Sequence, residues 1–173
     1  MAAKAVQEDY VIREVTIDDL TAIASLHVAT FNETHGGFGP PFEVREFQWQ
    51  DAFDSLDKKW FCFVIENENG ELIGFAKGQP YNHIDLPTYK GELNKIYLLK
   101  RYHGLGLGRT LICAVARKFR SQGINNMVLF GDAKNHSNGF YEAMGGQKLY
   151  ARNGDFHGGY GWHDLTSLAR QCD

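Results

Sequence analysis

The residues best suited to chemistry fall in two short segments. The first runs Glu92-Leu-Asn-Lys-Ile-Tyr-Leu-Leu-Lys-Arg-Tyr-His-Gly-Leu-Gly-Leu-Gly-Arg-Thr-Leu111. It reads as an apolar strand, a turn with alternating glycines, and the start of a helix. Gly104, Gly106 and Gly108 lack a Cβ, so a ligand's oxygens can come close to the backbone. The N–H groups of Leu105 to Arg109, among them that of Leu107, then point outward where a helix dipole is positive, which suits phosphate. Ile96, Tyr97 and Leu98, on the strand before the turn, would hold the rest of the same ligand. The second segment is Asn135-His-Ser-Asn-Gly-Phe-Tyr-Glu-Ala-Met-Gly-Gly146.

Three glycine patterns compete for the first segment. A P-loop ends in Gly-Lys-Ser/Thr, whereas Gly108 is followed by Arg109-Thr110. A dinucleotide fingerprint is G-x-G-x-x-G, and this chain has G-x-G-x-G, although Asp132 ends the next strand as a ribose-binding carboxylate would. In a chain of 173 residues only 65 follow Gly108, too few for that sheet at roughly 30 residues per βαβ unit. The third pattern fits. His103-Gly104-Leu105-Gly106-Leu107-Gly108 resembles the acetyl-CoA-binding motif of the GNAT superfamily of N-acyltransferases, Arg/Gln-x-x-Gly-x-Gly/Ala, with His103 in the place of Arg or Gln. The Asn135 to Gly146 segment resembles that family's Asn-x-x-x-x-Phe-Tyr-Glu-x-x-Gly motif. Between the two lie a helix pattern and the strand Met127-Val-Leu-Phe130, in the family's order.

The resemblance implies a soluble N-acetyltransferase that uses acetyl-CoA and a small-molecule primary amine, without a metal. The pyrophosphate would lie on the N–H groups of Leu105 to Arg109, and the amide-rich pantetheine arm would add to Ile96–Leu98 like a strand to a sheet edge. Asn135 would hydrogen-bond that arm, or serve as a helix cap. Tyr141 would be the general acid. A phenol of ordinary pKa about 10, hydrogen-bonded to the sulfur, can donate a proton to the thiolate as it leaves. Phe140 would pack beside it. A base is needed because an amine with a pKa near 10 is protonated at neutral pH, and only the neutral form attacks. Glu92, at the head of the cofactor strand, is the first choice; otherwise it is a solvated strand-edge acid. His27 is its rival or a core histidine, and His35 and His83 lie in loops expected to line the acceptor site. Glu33, Phe38, Phe42, Tyr81, Asp85, Tyr89 and Asp155 supply aromatics and acids that suit a cationic amine. A homodimer, common in the family, stays open.

These groups need a scaffold. Tyr10 to Val15 reads as a strand, followed by the helix cap Thr16–Asp19 and an apolar face of Leu20, Ile23, Ala24, Val28 and Phe31. After a Gly/Pro loop, Phe42 to Leu56 reads as a helix packing through Val44, Phe47 and Phe53. Trp60 to Glu66 and Leu72 to Gln79 form a hairpin about Asn67–Gly70. Glu92 to Leu99 is the cofactor strand, and the next helix, about Gly106 to Gln122, shows Leu111, Ile112, Val115, Ala116 and Phe119 on one face. Asn126 to Gly131 is a strand and Ser137 to Met144 a short helix. Gln147 to Arg152 and Tyr160 to Leu165 make a last hairpin around Asn153-Gly154 and Gly158-Gly159. The order is β-α-α-β-β-β-α-β-α-β-β. That matches a single α/β (α+β) GNAT-like domain over 1–173, with a mixed, mostly antiparallel sheet of about seven strands, about four flanking helices, and splayed fourth and fifth strands.

Composition sets the outer bounds. Net charge is −3, giving no basic field for nucleic acid or anionic membrane. No apolar run reaches the roughly 18 residues of a membrane span, and Met1–Asp9 lacks a signal peptide's apolar core. Cys62, Cys113 and Cys172 are scattered without a CxxC, which suggests reduced thiols and a cytoplasmic setting. Two other functions compete: an acyl-CoA-binding regulatory module without turnover, and, further off, a nucleotide-dependent oxidoreductase.

Overall fold

The computed structural model describes residues 9–172, so the reading of the N-terminal segment as free of a leader falls almost wholly outside it. The elements follow the expected order: β1 (Val11–Glu14), α1 (Leu20–His35), α2 (Phe42–Asp54), β2 (Phe61–Glu66), β3 (Leu72–Pro80), β4 (Gly91–Leu98), α3 (Leu107–Ser121), β5 (Met127–Phe130), α4 (Asn138–Ala143), β6 (Gln147–Tyr150) and β7 (Phe156–Trp162). One seven-stranded sheet runs β1-β2-β3-β4-β5-β7-β6. Every pairing is antiparallel except β4 with β5.

The local signals explain most boundaries. Asp19 closes the capping box by accepting the Thr16 N–H at 2.8 Å, and both its oxygens take Arg13 at 2.8 Å, pinning β1 to the first helix. Asn67 turns the β2–β3 hairpin through its side-chain oxygen, which accepts the N–H groups of Asn69 and Glu71, while Gly70 takes a positive φ of 76°.

Each face of the sheet carries a core. On one, α3 buries Leu111, Ile112, Val115, Ala116 and Phe119 completely, as its periodicity predicts. On the other, α1 and α2 cover Val64 and Phe75. There Ile23 and Ala24 are buried as expected, and the stripe of α1 continues through Leu26, His27 and Thr30 rather than through Val28. The expectation for α2 is corrected: Phe47 is 71% exposed and Val44 is also outside, while Arg45 and Trp49 turn inward. Trp49 packs edge-on against Phe75 and Trp60, and this large ring, not the smaller apolar residues, decides which side of the helix faces the sheet.

Two further expectations change. β7 begins at Phe156, and Gly158 and Gly159 lie within it rather than in a turn; Gly159 pairs with both Phe130 and Leu149. The thiols are not all free. Cys113, buried on α3, is disulfide-bonded to Cys172, with the Cα atoms 5.3 Å apart. A 3₁₀ turn at Leu168–Arg170 lays the C-terminal tail on α3, where Arg117 Nε donates to the Ala169 carbonyl at 2.7 Å. Only tertiary docking brings these cysteines together. Cys62 alone stays free, buried in β2, where burial pushes its thiol pKa up.

Candidate active site

The parallel pair β4–β5 touches at one register position, Glu92 opposite Val128. Beyond it the strands part, and the gap is a cleft of about 290 Å³. Asn94 to Leu98 form one wall, Leu129 to Asp132 the other, with Asn135, Ser137 and Tyr141 at its side. The backbone of β4 along this wall has no partner on β5. Antiparallel pairing to β3 steps from Lys77–Lys95 to Gly78–Leu93, which leaves Asn94 as an extra residue, a β-bulge in the cleft wall.

The glycine turn follows at once. Gly104 and Gly106 have φ of 78° and 81°, a left-handed backbone that glycine adopts without strain. Gly108 serves packing instead: a Cβ there would sit 3.2 Å from Phe140 Cζ. His103 Nε2 donates to the Leu98 carbonyl at 2.8 Å and ties the turn back to β4. Among the described residues, the first N–H of α3 with a backbone acceptor is that of Thr110, bonded to the Gly106 carbonyl at 3.2 Å. The N–H groups of Leu105 to Arg109 precede it at the positive end of a 15-residue helix and are open to an anion.

The structure gathers Ile96, Tyr97, Leu98, His103, Asn135 and Tyr141 in one cleft. The Tyr97 ring turns away from it, towards His27 and Phe75, leaving the cleft to its backbone. Asn135 makes a local turn, its Oδ1 accepting the Ser137 N–H at 2.8 Å. Tyr141 is 5% exposed, and burial first, then the neighbouring Tyr97, push its phenol up to about 12, with Ser137 opposing. Glu92 is not in the cleft wall. It stands at the neck of the splay, half-buried, where Gln79 Nε2 donates to its Oε1 at 3.0 Å. His35 ends α1 rather than lying in a loop, and it lines the cleft.

His27 is a core residue. It is 2% exposed, and its Nδ1 accepts the Trp49 indole N–H at 3.1 Å. Burial, aided by Arg45, Lys95 and Lys77, lowers its pKa to about 3, so it is neutral and a poor base at physiological pH. The unfolded chain takes up a proton near pH 6.5 that the folded chain refuses until about 3. Stability from this site is therefore complete above pH 6.5 and lost as pH falls towards 3, by up to about 1.4 kcal/mol per pH unit. Urea unfolding between pH 7 and 4 is expected to show a shallower loss in His27→Gln than in the parent protein; parallel pH profiles would remove His27 as the cause.

The acids expected around a cationic acceptor are engaged elsewhere. Glu33 accepts the Lys100 N–H at 3.3 Å, Asp85 pairs with Arg152 at 3.1 Å, and Asp155 turns the last hairpin with Asn153. A second cavity, of about 260 Å³, is lined by His27, Arg45, Gln48, Trp49, Lys77 and Lys95. Neither this cavity nor the bulge at Asn94 is evident in the sequence, because both arise from residues far apart in the chain or from pairing register.

The model of the acetyltransferase (GNAT) family matches residues 21–146. The uncharacterized N-acetyltransferase YuaI of Bacillus subtilis (strain 168) is 28% identical over 165 residues, which cover 91% of this chain and 95% of that one. The PaiA N-acetyltransferase from Thermoplasma acidophilum, solved in complex with coenzyme A, superposes with a TM-score of 0.65 at 19% identity, over 88% of this chain and 97% of its own. YncA from Salmonella typhimurium, solved with acetyl-CoA, gives 0.66 at 19% identity, over 94% and 98%.

Proposed function

The chain belongs to the acetyltransferase (GNAT) family, and on that premise we propose that it moves an acetyl group from acetyl-CoA to a primary amine by direct attack, with both substrates bound together. The observation that carries this reading is the splay of β4 from β5, with unpaired β4 backbone and a buried phenol in the cleft and a free row of turn N–H groups directly after His103 in its wall. The fit to acetyl-CoA is chemical. A diphosphate suits the N–H groups of Leu105 to Arg109, and an amide-bearing chain suits the open β4 edge at Ile96–Leu98. When bound, acetyl-CoA supplies the activated acyl carbon.

The residues of the chain then hold and move protons. Tyr141 O–H donates to the sulfur that must leave. Glu92 takes, through water, the proton the amine must lose. Small-molecule acceptors belong to the same proposal, and among the described residues no helix is long and apolar enough to cross a membrane. Thiol release from acetyl-CoA over a panel of amines tests it. Turnover with at least one amine is expected; thermal stabilisation by acetyl-CoA without release on any amine would favour a non-catalytic binding module.

The base has its own test. Glu92→Gln is expected to lower the rate mainly below the pH at which the amine deprotonates unaided, and to leave the alkaline limb intact. If the two pH–rate profiles overlay, Glu92 is not the base. His35, already in the cleft wall, is then the next residue to replace, followed by His83.

A further inference from the structure

Arg45, Lys77 and Lys95 meet in the second cavity without a carboxylate to neutralise them. Among the described residues none of the three is in an ion pair. Lys77 and Lys95 sit directly opposite each other on β3 and β4, a like-charge cross-strand pair that costs stability. Arg45 is 7% exposed; its Nη1 donates to Gln48 at 2.9 Å, but its buried Nε has no partner. Its guanidinium lies 4.8 Å from the centre of the Phe31 ring, and Lys77 Nζ stands over Trp49 and Trp60. Aromatic faces soften such burial; they do not neutralise the charge. Among the described residues Glu92 is the one carboxylate acting on both lysines, and its Oε1 is already held by Gln79.

A buried, uncompensated cation is expensive, and Arg45 together with two half-buried lysines around one cavity makes a space shaped for negative charge. A fourth donor adds to it. With Nδ1 of His27 accepting from Trp49, the ring's proton is on Nε2, which has no partner among the described residues. Lys95 lines this cavity and the acetyl-CoA cleft alike, so a ligand anchored in the first is next to the second.

We infer that this cavity is the acceptor's anion subsite, and that the acceptor is an amine that also carries an oxyacid group such as a carboxylate or phosphonate. The inference rests on the acetyl-transfer reading above. An anion here would also restore Lys95, which burial, Lys77 and Arg45 hold down to about 8, to full charge.

The test uses acceptor pairs that differ only in the acid: phenylalanine and phenethylamine, leucine and isoamylamine, 2-aminoethylphosphonate and ethylamine. The expected kcat/KM is at least tenfold higher for the acid-bearing member, carried by KM. The first two pairs against the third separate carboxylate from phosphonate. In Arg45→Gln and Lys77→Gln that ratio should fall towards one, and Lys77→Arg should keep it, while calorimetric titration with CoA reports an intact cofactor cleft in each variant. Equal use of both members by the parent protein, or a ratio untouched in both Gln variants, overturns the subsite and leaves acetyl transfer standing. If no amine turns over, acetyl transfer itself fails, and titrating the same pairs into the CoA-loaded protein decides the subsite alone. Tighter binding of the acid-bearing member, lost in Lys77→Gln, supports it; equal binding overturns it.

Discussion

Tyr141→Phe is expected to bind acetyl-CoA about as well as the parent protein and to turn over more slowly, by about 10²-fold, the lower end of the range for a positioned general acid. The ring is what packs, touching Phe140 and Tyr160, so removing one oxygen leaves the wall of the cleft in place. The reason for the lower end is the phenol's environment. At about 12 it is a weaker acid than an ordinary tyrosine, whereas a thiol titrates near 8.5. Full proton transfer to the thiolate is then uphill, and Tyr141 acts as a hydrogen-bond donor that spreads the sulfur's charge. The same shift keeps the donor protonated through the whole neutral range, so no loss of rate is expected from Tyr141 between pH 6 and 9. The check is kcat and CoA affinity on the same preparation. Parent-level kcat would make Tyr141 a packing residue.

Gly106→Glu is expected to abolish CoA binding. Two effects combine. The residue before α3 has φ 81°, which a side chain resists. A carboxylate is also placed against a diphosphate, where two like charges about 5 Å apart cost on the order of 3 kcal/mol at an effective dielectric constant of 20, roughly a hundredfold in Kd per charge pair. Gly106→Asn separates the two, since Asn is neutral and tolerates left-handed backbone. It should retain measurable affinity. Calorimetric titration with CoA on protein shown to be folded distinguishes the cases, and unchanged affinity in Gly106→Glu would move the phosphate site elsewhere.

What the sequence discloses is what local patterning controls. The α3 face from Leu111 to Phe119, the stop at Gly145-Gly146 and the strand–glycine–helix passage each follow from neighbours within a few residues, and each stands as expected. Asn135 and Tyr141 reach the cleft because the motif that holds them is itself local. The failures need distant partners. Val44 and Phe47 read as the packing face of α2 until Trp49 sets the rotation of the helix and turns Arg45 inward. Gly158-Gly159 reads as a turn until Phe130 and Leu149 pair with Gly159 from both sides. Cys113 and Cys172 look solitary until the tail docks on α3.

The extra residue at Asn94 acts as a half-period phase shift in β4. In a regular strand Leu93 and Lys95 would share a face, because side chains alternate. Here Leu93 belongs to the core under α3, while Lys95 lines the cavity beside His27 and Trp49, on the other side of the sheet. The strand therefore carries two alternations in series, one written for a greasy layer and one for a charged one, joined at a single inserted unit. Deleting Asn94 would put the two back in step and force either the leucine or the lysine through the sheet. Shortening β4 by one residue is thus a larger change to the molecule than replacing any one of its side chains.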